Sequence, residues 1–424
     1  MRSPFRHLRR AALFEQLGPG LVTGAADDDP SGIATYSQAG AQFGFAMLWT
    51  MPLTYPLMSA VQLLCAEVGR VTGAGLAKNM GQILPRWLVR SLVTLLFVAN
   101  TINIGADLAA MGESATLMLG GGDMRLFTVG FVVLSLTLQL FVPYHRYVRF
   151  LKWLTMVLLA YVAVVFSVKL DWGEVGRAIV APHLKVDGAA ITLVVAVFGT
   201  TISPYLFFWQ SAQEVEDLDA DPKARALKDA PAQAPRQMRR MRLDTFVGMA
   251  ASNLIAMAIM ISTAATLHAA GKVDIATAAD AAKALAPVAG HFAFALFSLG
   301  IIGTGLLAVP VLAGSAAYAI GESQGWKVGL ENKPWEAVGF YAIIILSTIL
   351  GLGIVVSPLD PMKALFWSAV INGVAAVPIM VGLMLVAQSR DRMGRFRAHG
   401  ALRFFGWLAT AVMGAAAVAM LFFH

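Results

Sequence analysis

The chain has 424 residues, 58% of them hydrophobic and 13% charged, with a mean hydropathy of +0.69. That balance excludes a water-soluble globular domain. The formal net charge is +7, but no soluble basic surface accompanies it, which excludes nucleic acid as a partner and leaves membrane topology as the meaning of the basic residues.

Apolar segments lie at 13–45, 46–69, 88–118, 126–142, 150–168, 189–213, 244–268, 288–320, 337–356, 361–388 and 402–423. Each is long enough to cross about 30 Å of hydrocarbon, with 126–142 at the short limit. Eleven spans with the N-terminus inside put 25 of the 32 Lys and Arg on one side, in Arg2–Arg10, Arg70–Arg90, Arg146–Lys152, Lys223–Arg242, Lys327–Lys333 and Arg390–Arg403. Losing or adding a span would scramble that partition. The expectation is an integral plasma (inner) membrane protein with a cytoplasmic N-terminus and an external C-terminus. The basic start and the Arg9-Arg10 pair mimic a secretory or twin-arginine signal. Both are set aside, because the apolar run lacks an A-x-A site, continues into Asp27 and is needed for the charge count.

The first span is interrupted by Asp27, Asp28 and Asp29, then Pro30 and Gly32. Ionised carboxylates near the bilayer midplane cost roughly 2.5 to 3.5 kcal/mol each, so a cation, water or partner charge is expected there. Pro30 and Gly32 also leave backbone carbonyls free to ligate a cation. Successive helical side chains turn by about 100°, so at most one neighbour shares the direction of Asp29. Asp28 is the second choice, as an acceptor for waters around the ion; alternatively, Asp27 and Asp28 both flank an aqueous vestibule.

Farther along, Gly40 and Gly44 are read as a packing surface. Cys65, the only cysteine, permits neither an intramolecular disulfide nor a thiolate cluster, and reads as a small buried residue. Asn100, Asn103 and Asp107 share one face of span three, where the asparagines are read as interhelical hydrogen-bonding groups. Span six breaks at Thr200-Thr201-Ile202-Ser203-Pro204-Tyr205, and Gln210 and Gln213 follow toward the cytoplasmic exit. The hydrophilic insert 214–243 holds Pro222, Pro231 and Pro235 and reads as a mobile cytoplasmic linker. Gly300, Gly303 and Gly305 read as packing, while Asn372 either reaches the ion or its water or joins helices. Trp49, Trp87, Trp172 and Trp335 read as interface anchors.

Five spans separate the two breaks, and an odd-numbered repeat must insert its second copy upside down. The chain is therefore read as one all-α transporter domain, 1–424, with five-helix repeats 13–168 and 189–388, broken helices one and six, and an additional helix at 402–423. No H-E-x-x-H, Ser/His/Asp set, phosphate-cradling loop or soluble output domain is present, so neither an enzyme nor a receptor is expected, and no cofactor or obligate protein partner is evident.

Six motifs occur in order along the chain: Leu17-Gly18-Pro19-Gly20, Asp29-Pro30-Ser31-Gly32, Gln38 to Gly44, Cys65 to Gly73, Asn103 to Ala109, and Gly199 to Tyr205. Together they resemble those of the Nramp family of divalent-metal transporters. The resemblance runs from Leu17 to about Gln388 and implies the inverted-repeat fold of the bacterial leucine transporter. It also implies a metal site in which Asp29 supplies a carboxylate and Ala26 and Thr200 supply carbonyls.

Two ligand positions depart from the family: Gly32 stands for an asparagine and Ser203 for a methionine. Losing the thioether leaves hard oxygen ligands, and losing both side chains is expected to make room for a partly hydrated ion. Mg²⁺ is favoured, as in the Nramp-related magnesium-transporter branch, with Mn²⁺ the competing substrate. Places that carry a second acid and histidines in proton-coupled members hold Ala110, Tyr205 and Gln210, so transport driven by the membrane potential alone is expected. A proton-coupled Mn²⁺/Fe²⁺ transporter is the alternative. A sodium-coupled organic solute carrier of the same fold is a further one, although three adjacent aspartates disfavour an anionic substrate.

Overall fold

The computed structural model describes residues 23–24, 26–142, 156–181, 187–355 and 360–422, and regular structure among them is helical. Leu17–Gly20, Arg2–Arg10, Arg146–Lys152, Lys185 and the start of the span expected at 150–168 lie outside the described residues.

The helices are α1 (Pro30–Phe43), α2 (Thr50–Thr72), α3 (Leu76–Met80), α4 (Arg86–Leu119), α5 (Met124–Phe141), α6 (Leu159–Ser167), α7 (Trp172–Val180), α8 (Gly188–Thr201), α9 (Pro204–Ala220), α10 (Ala234–Thr263), α11 (Ala293–Gln324), α12 (Val338–Val355), α13 (Pro361–Gln388) and α14 (Gly400–Phe422). Counting α8 and α9 together, eight described helices are long and apolar enough to cross a membrane; the bent pair α6–α7, with a 116° angle, makes nine. Helix α2 has the length, about 35 Å, but buries Gln62, Glu67 and Arg70. Helix α1 is the part of the interrupted first span that follows Asp29. The eleven expected spans therefore each have a helical counterpart.

Connections between helices gather at two ends of the bundle, which tests the parity of the span count. At one end, Leu227 N and Lys228 N donate to the carbonyls of Arg70 and Val71. There too, Lys228 Nζ bonds Asp391 O at 2.7 Å, Arg392 Nη2 bonds Asn79 Oδ1 at 2.8 Å, and Lys78 N bonds Glu322 Oε2 at 3.2 Å. Three basic segments assigned to one side by the charge count thus meet at one end, together with the last turn of α11. At the other end, Phe43–Ala46, Lys169–Ala178 and the 264–269 segment border a cavity of about 650 Å³.

The insert after span six differs from the mobile linker expected. Helix α9 runs on to Ala220 and α10 starts at Ala234, because the insert's Ala, Glu, Lys and Arg favour helix and Pro235 sits in the first turn of α10, where no donor is lost. The remaining 221–233 segment is docked on the end of α2, with Leu227 fully buried.

Helices α5 and α14 expose Leu126, Val133, Phe141, Phe404 and Leu421, apolar surface that suits lipid. Trp87, Trp172 and Trp335 are exposed near helix ends, as expected of interface anchors, whereas Trp49 is half-buried.

Candidate functional site

Helix α1 starts where it does because Pro30 fits the first helical position and Asp29 caps it. Asp29 is extended (φ −72°, ψ 171°), and its Oδ1 accepts from Gly32 N and Ser31 Oγ, both at 2.7 Å. Its Oδ2 accepts from Asn103 Nδ2 of α4 at 3.0 Å. The carboxylate is thus N-cap and interhelical acceptor at once, and three of its roughly four acceptor positions are in use.

The second interruption follows the same rule. Pro204 bars its predecessor from continuing a helix, so α8 ends at Thr201 and α9 restarts after the extended Ser203. Ser203 Oγ reaches back to the carbonyls of Gly199 and Thr200, at 2.8 and 2.9 Å, which would otherwise lack partners at the end of α8. Close packing fixes this break against α13: a Cβ on Gly199 would come within 2.7 Å of Gly373 Cα.

The two interruptions meet. A Cβ on Gly32 would stand 2.9 Å from Thr200 Oγ1, and Tyr205 Oη donates to Ala26 O at 2.9 Å. Ala26 and Asp27 are the last helical residues before the first interruption, and Thr200 lies in the last turn of α8. Both therefore offer helix C-terminal carbonyls, the negative end of a helix dipole.

Helices α4 and α13 complete the surroundings. Asn103 Oδ1 accepts from Ser368 Oγ at 2.6 Å, and Asp107 lies one turn along α4 on the same face. Both Asp107 oxygens are buried without a hydrogen-bond partner, as are Asn372 Oδ1, one turn from Ser368, and Asp27 Oδ1. Buried oxygens left unsatisfied in this number call for a positive or donor species among them.

The site is buried from both directions among the described residues. Thr23 Oγ1 donates to Gln210 Oε1 at 2.5 Å. Beyond the other end of the site, Gln38 brackets the 273–275 segment, donating to Val273 O and accepting from Ile275 N. Asp29, Asn103, Asp107, Thr200, Ser203, Tyr205 and Asn372 are each no more than 2% exposed.

Against the sequence expectations, Asp29, Ala26, Thr200, Gly32, Tyr205 and Ser203 lie at the two converging breaks. Asp28 turns elsewhere: its Oδ1 shares the hydroxyl of Ser252 in α10 with Asp27 Oδ2, at 3.1 and 2.8 Å. Neither carboxylate flanks an open vestibule here, both being buried. Gln210 does not line an open exit here: it is buried and bonded to Thr23. The space expected beside Gly32 is occupied by the Thr200 hydroxyl, because the two breaks pack directly on each other. Asn103 and Ser368 were not foreseen at the site; the spacing of Asn103 to Asp107 was the available signal, read only as a helix-joining face. Asn100 does serve that purpose, donating to Leu312 O and Ser315 Oγ of α11, each at 2.8 Å.

The profile of the Nramp family, "Natural resistance-associated macrophage protein-like", matches residues 20–423. The chain is 27% identical over 402 residues to the divalent metal cation transporter MntH of Chromohalobacter salexigens, covering 91% of this chain and 86% of that one. It is 27% identical over 415 residues to the MntH of Deinococcus radiodurans, covering 96% and 89%. Its fold superposes on the Eremococcus coleocola manganese transporter, crystallised with an aromatic bis-isothiourea compound, with a TM-score of 0.72 at 16% identity over 95% of this chain and 85% of that one. Mhp1, a nucleobase-cation-symport-1 transporter, matches with a TM-score of 0.56 at 14% identity over 95% and 92%.

Proposed function

The chain belongs to the Nramp family and has its leucine-transporter-type inverted-repeat fold, and on that premise we propose that it carries a divalent metal cation across a membrane by alternating access. The observation that carries this reading is the buried Asp29 carboxylate where two broken helices converge, beside the unpartnered carboxylate of Asp107. Ala26 O and Thr200 O supply hard oxygen ligands from helix C-termini, and Ser203 adds a hydroxyl whose proton already has acceptors in Gly199 O and Thr200 O. Asp107, Tyr205, Gln210 and Asn372 line the path or hold the ion's waters, and Asp28 acts with Ser252 beside it.

The cargo is Mg²⁺ in the first instance, since the ligand set contains oxygen only and no sulfur replaces that of the family's methionine. Ligand hardness supports this choice; cavity size does not, because Thr200 fills the space beside Gly32. A second reading, Mn²⁺, is favoured by the names of the relatives.

Uptake is driven by the membrane potential without a proton. Moving a divalent ion across about 100 mV contributes roughly 4.6 kcal/mol, twice the single-charge value. The N-terminus is cytoplasmic and the chain resides in the plasma (inner) membrane, as the crowding of basic residues at one end supports. The repeats 13–168 and 189–388 rock against each other around the site.

The test is uptake of Mg²⁺, Mn²⁺, Ca²⁺ and Cd²⁺ into proteoliposomes. Saturable Mg²⁺ uptake that disappears in Asp29→Asn supports the reading. Absence of transport for all four ions would overturn it.

A further inference from the structure

Asn103 carries a hydrogen-bond arrangement that has two self-consistent settings. In this structure its Nδ2 donates to Asp29 Oδ2 at 3.0 Å, and its Oδ1 accepts from Ser368 Oγ at 2.6 Å. Ser368 has a second acceptor in reach, the carbonyl of Leu365 at 2.7 Å. A hydroxyl has one proton, so Ser368 donates to Asn103 or to Leu365, never fully to both.

That spare acceptor makes the reversed setting available. With the amide turned over, Nδ2 donates to Ser368 Oγ, Ser368 donates to Leu365 O, and Asn103 Oδ1 faces Asp29. Alone, this places an amide oxygen against a carboxylate, which is repulsive. With a divalent cation between the two oxygens it becomes attractive, and both are hard ligands of the kind such ions take. Asp29 itself is held still by Ser31 Oγ and Gly32 N on its other oxygen.

We propose that Asn103 is a direct ligand of the transported cation, reached by reversal of its amide, and that it supplies from α4 the carboxamide oxygen absent at Gly32. The proposal rests on the cation-transport reading above. It accounts for a fully buried asparagine set on the Asp29 carboxylate of the first break, while no side chain at position 32 fits without displacing Thr200 Oγ1. Ser368 is a positioning residue that lets the amide turn without losing its partner.

The deciding experiment places a soft ligand at this position. Asn103→Cys is made in a Cys65→Ser background, which removes the sole native thiol, buried in α2. Uptake of Cd²⁺ and Mg²⁺ is measured in proteoliposomes, and Cd²⁺ binding to the purified protein is followed by calorimetry. A thiolate touching the ion lowers the Cd²⁺ half-saturation concentration at least about tenfold relative to Mg²⁺, and the binding measurement reports the same gain if the variant turns over slowly. Asn103→Leu, similar in size but without a ligand atom, raises the Mg²⁺ half-saturation concentration about tenfold. An unchanged Cd²⁺ to Mg²⁺ preference in both uptake and binding would sink the proposal, leaving Asn103 a merely structural group. Should the parent protein carry no divalent cation, the functional reading fails first; should it carry one and lose it in Asp29→Asn while position 103 shifts nothing, only this inference fails.

Discussion

Tyr205 Oη donates to the carbonyl of Ala26 at 2.9 Å, joining the first turn of α9 to the residues just before the first interruption. Thr23 and Gln210 form a second rung between the same two segments. Ala26 O is also a proposed ion ligand, so one phenol both ties the two breaks together and touches a proposed ligand of the cargo.

Removing that phenol is expected to loosen the residues just before the first interruption. A net hydrogen bond of about 1 kcal/mol corresponds to roughly fivefold in an opening equilibrium. Tyr205→Phe should therefore raise hydrogen–deuterium exchange of the 23–28 segment by about fivefold, with little change at α5 or α14. Exchange rates identical to the parent would show that the phenol does not tie the two breaks together.

Substitutions at Asp29 separate its two duties. Asparagine caps a helix as well as aspartate does, so Asp29→Asn should keep stability within about 0.5 kcal/mol while cation uptake falls at least about tenfold. Asp29→Ala loses the cap as well and should cost about 1 kcal/mol more. Thermal unfolding in detergent alongside uptake reads both; equal uptake in parent and Asp29→Asn would confine Asp29 to capping.

Reintroducing sulfur tests the hardness of the ligand set. Ser203→Met should increase uptake of Cd²⁺ relative to Mg²⁺, because a thioether favours soft late metals. The same variant leaves the Gly199 and Thr200 carbonyls without their hydroxyl donor, so a lower melting temperature is expected too. Indifference of the ion preference would undercut magnesium as the leading cargo.

Restoring the family asparagine in Gly32→Asn should destabilise the protein by about 1 to 3 kcal/mol, since its Cβ would lie 2.9 Å from Thr200 Oγ1. Adding Thr200→Ala should recover much of that loss. Unfolding curves showing additive rather than compensating effects would mean the two residues do not compete for the same space.

An inside-negative potential should accelerate cation uptake with no accompanying proton influx, read with a pH-sensitive dye trapped in proteoliposomes. Stoichiometric acidification would replace potential-driven transport by proton coupling, for which the buried Asp107 carboxylate is the natural carrier.

Much of the fold was legible in the sequence because lipid leaves few options. Pro30 and Pro204 mark the two breaks because each follows polar residues within an apolar span; proline alone does not break a helix here, since Pro56, Pro310 and Pro378 lie inside α2, α11 and α13. The linker was less legible: a hydrophilic, proline-bearing segment resembles a mobile one until Leu227 is seen buried against the end of α2. Within the site, Asp29, Thr200 and Ser203 stood out as polar groups at helix breaks. Asn103 and Ser368 did not, because their role depends on which way α4 and α13 face.

By itself the sequence determined the membrane setting, the two interruptions and the oxygen-only character of the proposed ligand set, because these follow from local hydropathy, polar residues beside prolines and residue type. Only the tertiary structure decided which groups share the site. It turned Asp28 toward Ser252, filled the space beside Gly32 with Thr200 and brought Asn103 onto Asp29. The reason is physical: pairing between helices depends on their rotation and close approach, which glycine contacts such as Gly199 on Gly373 fix through space.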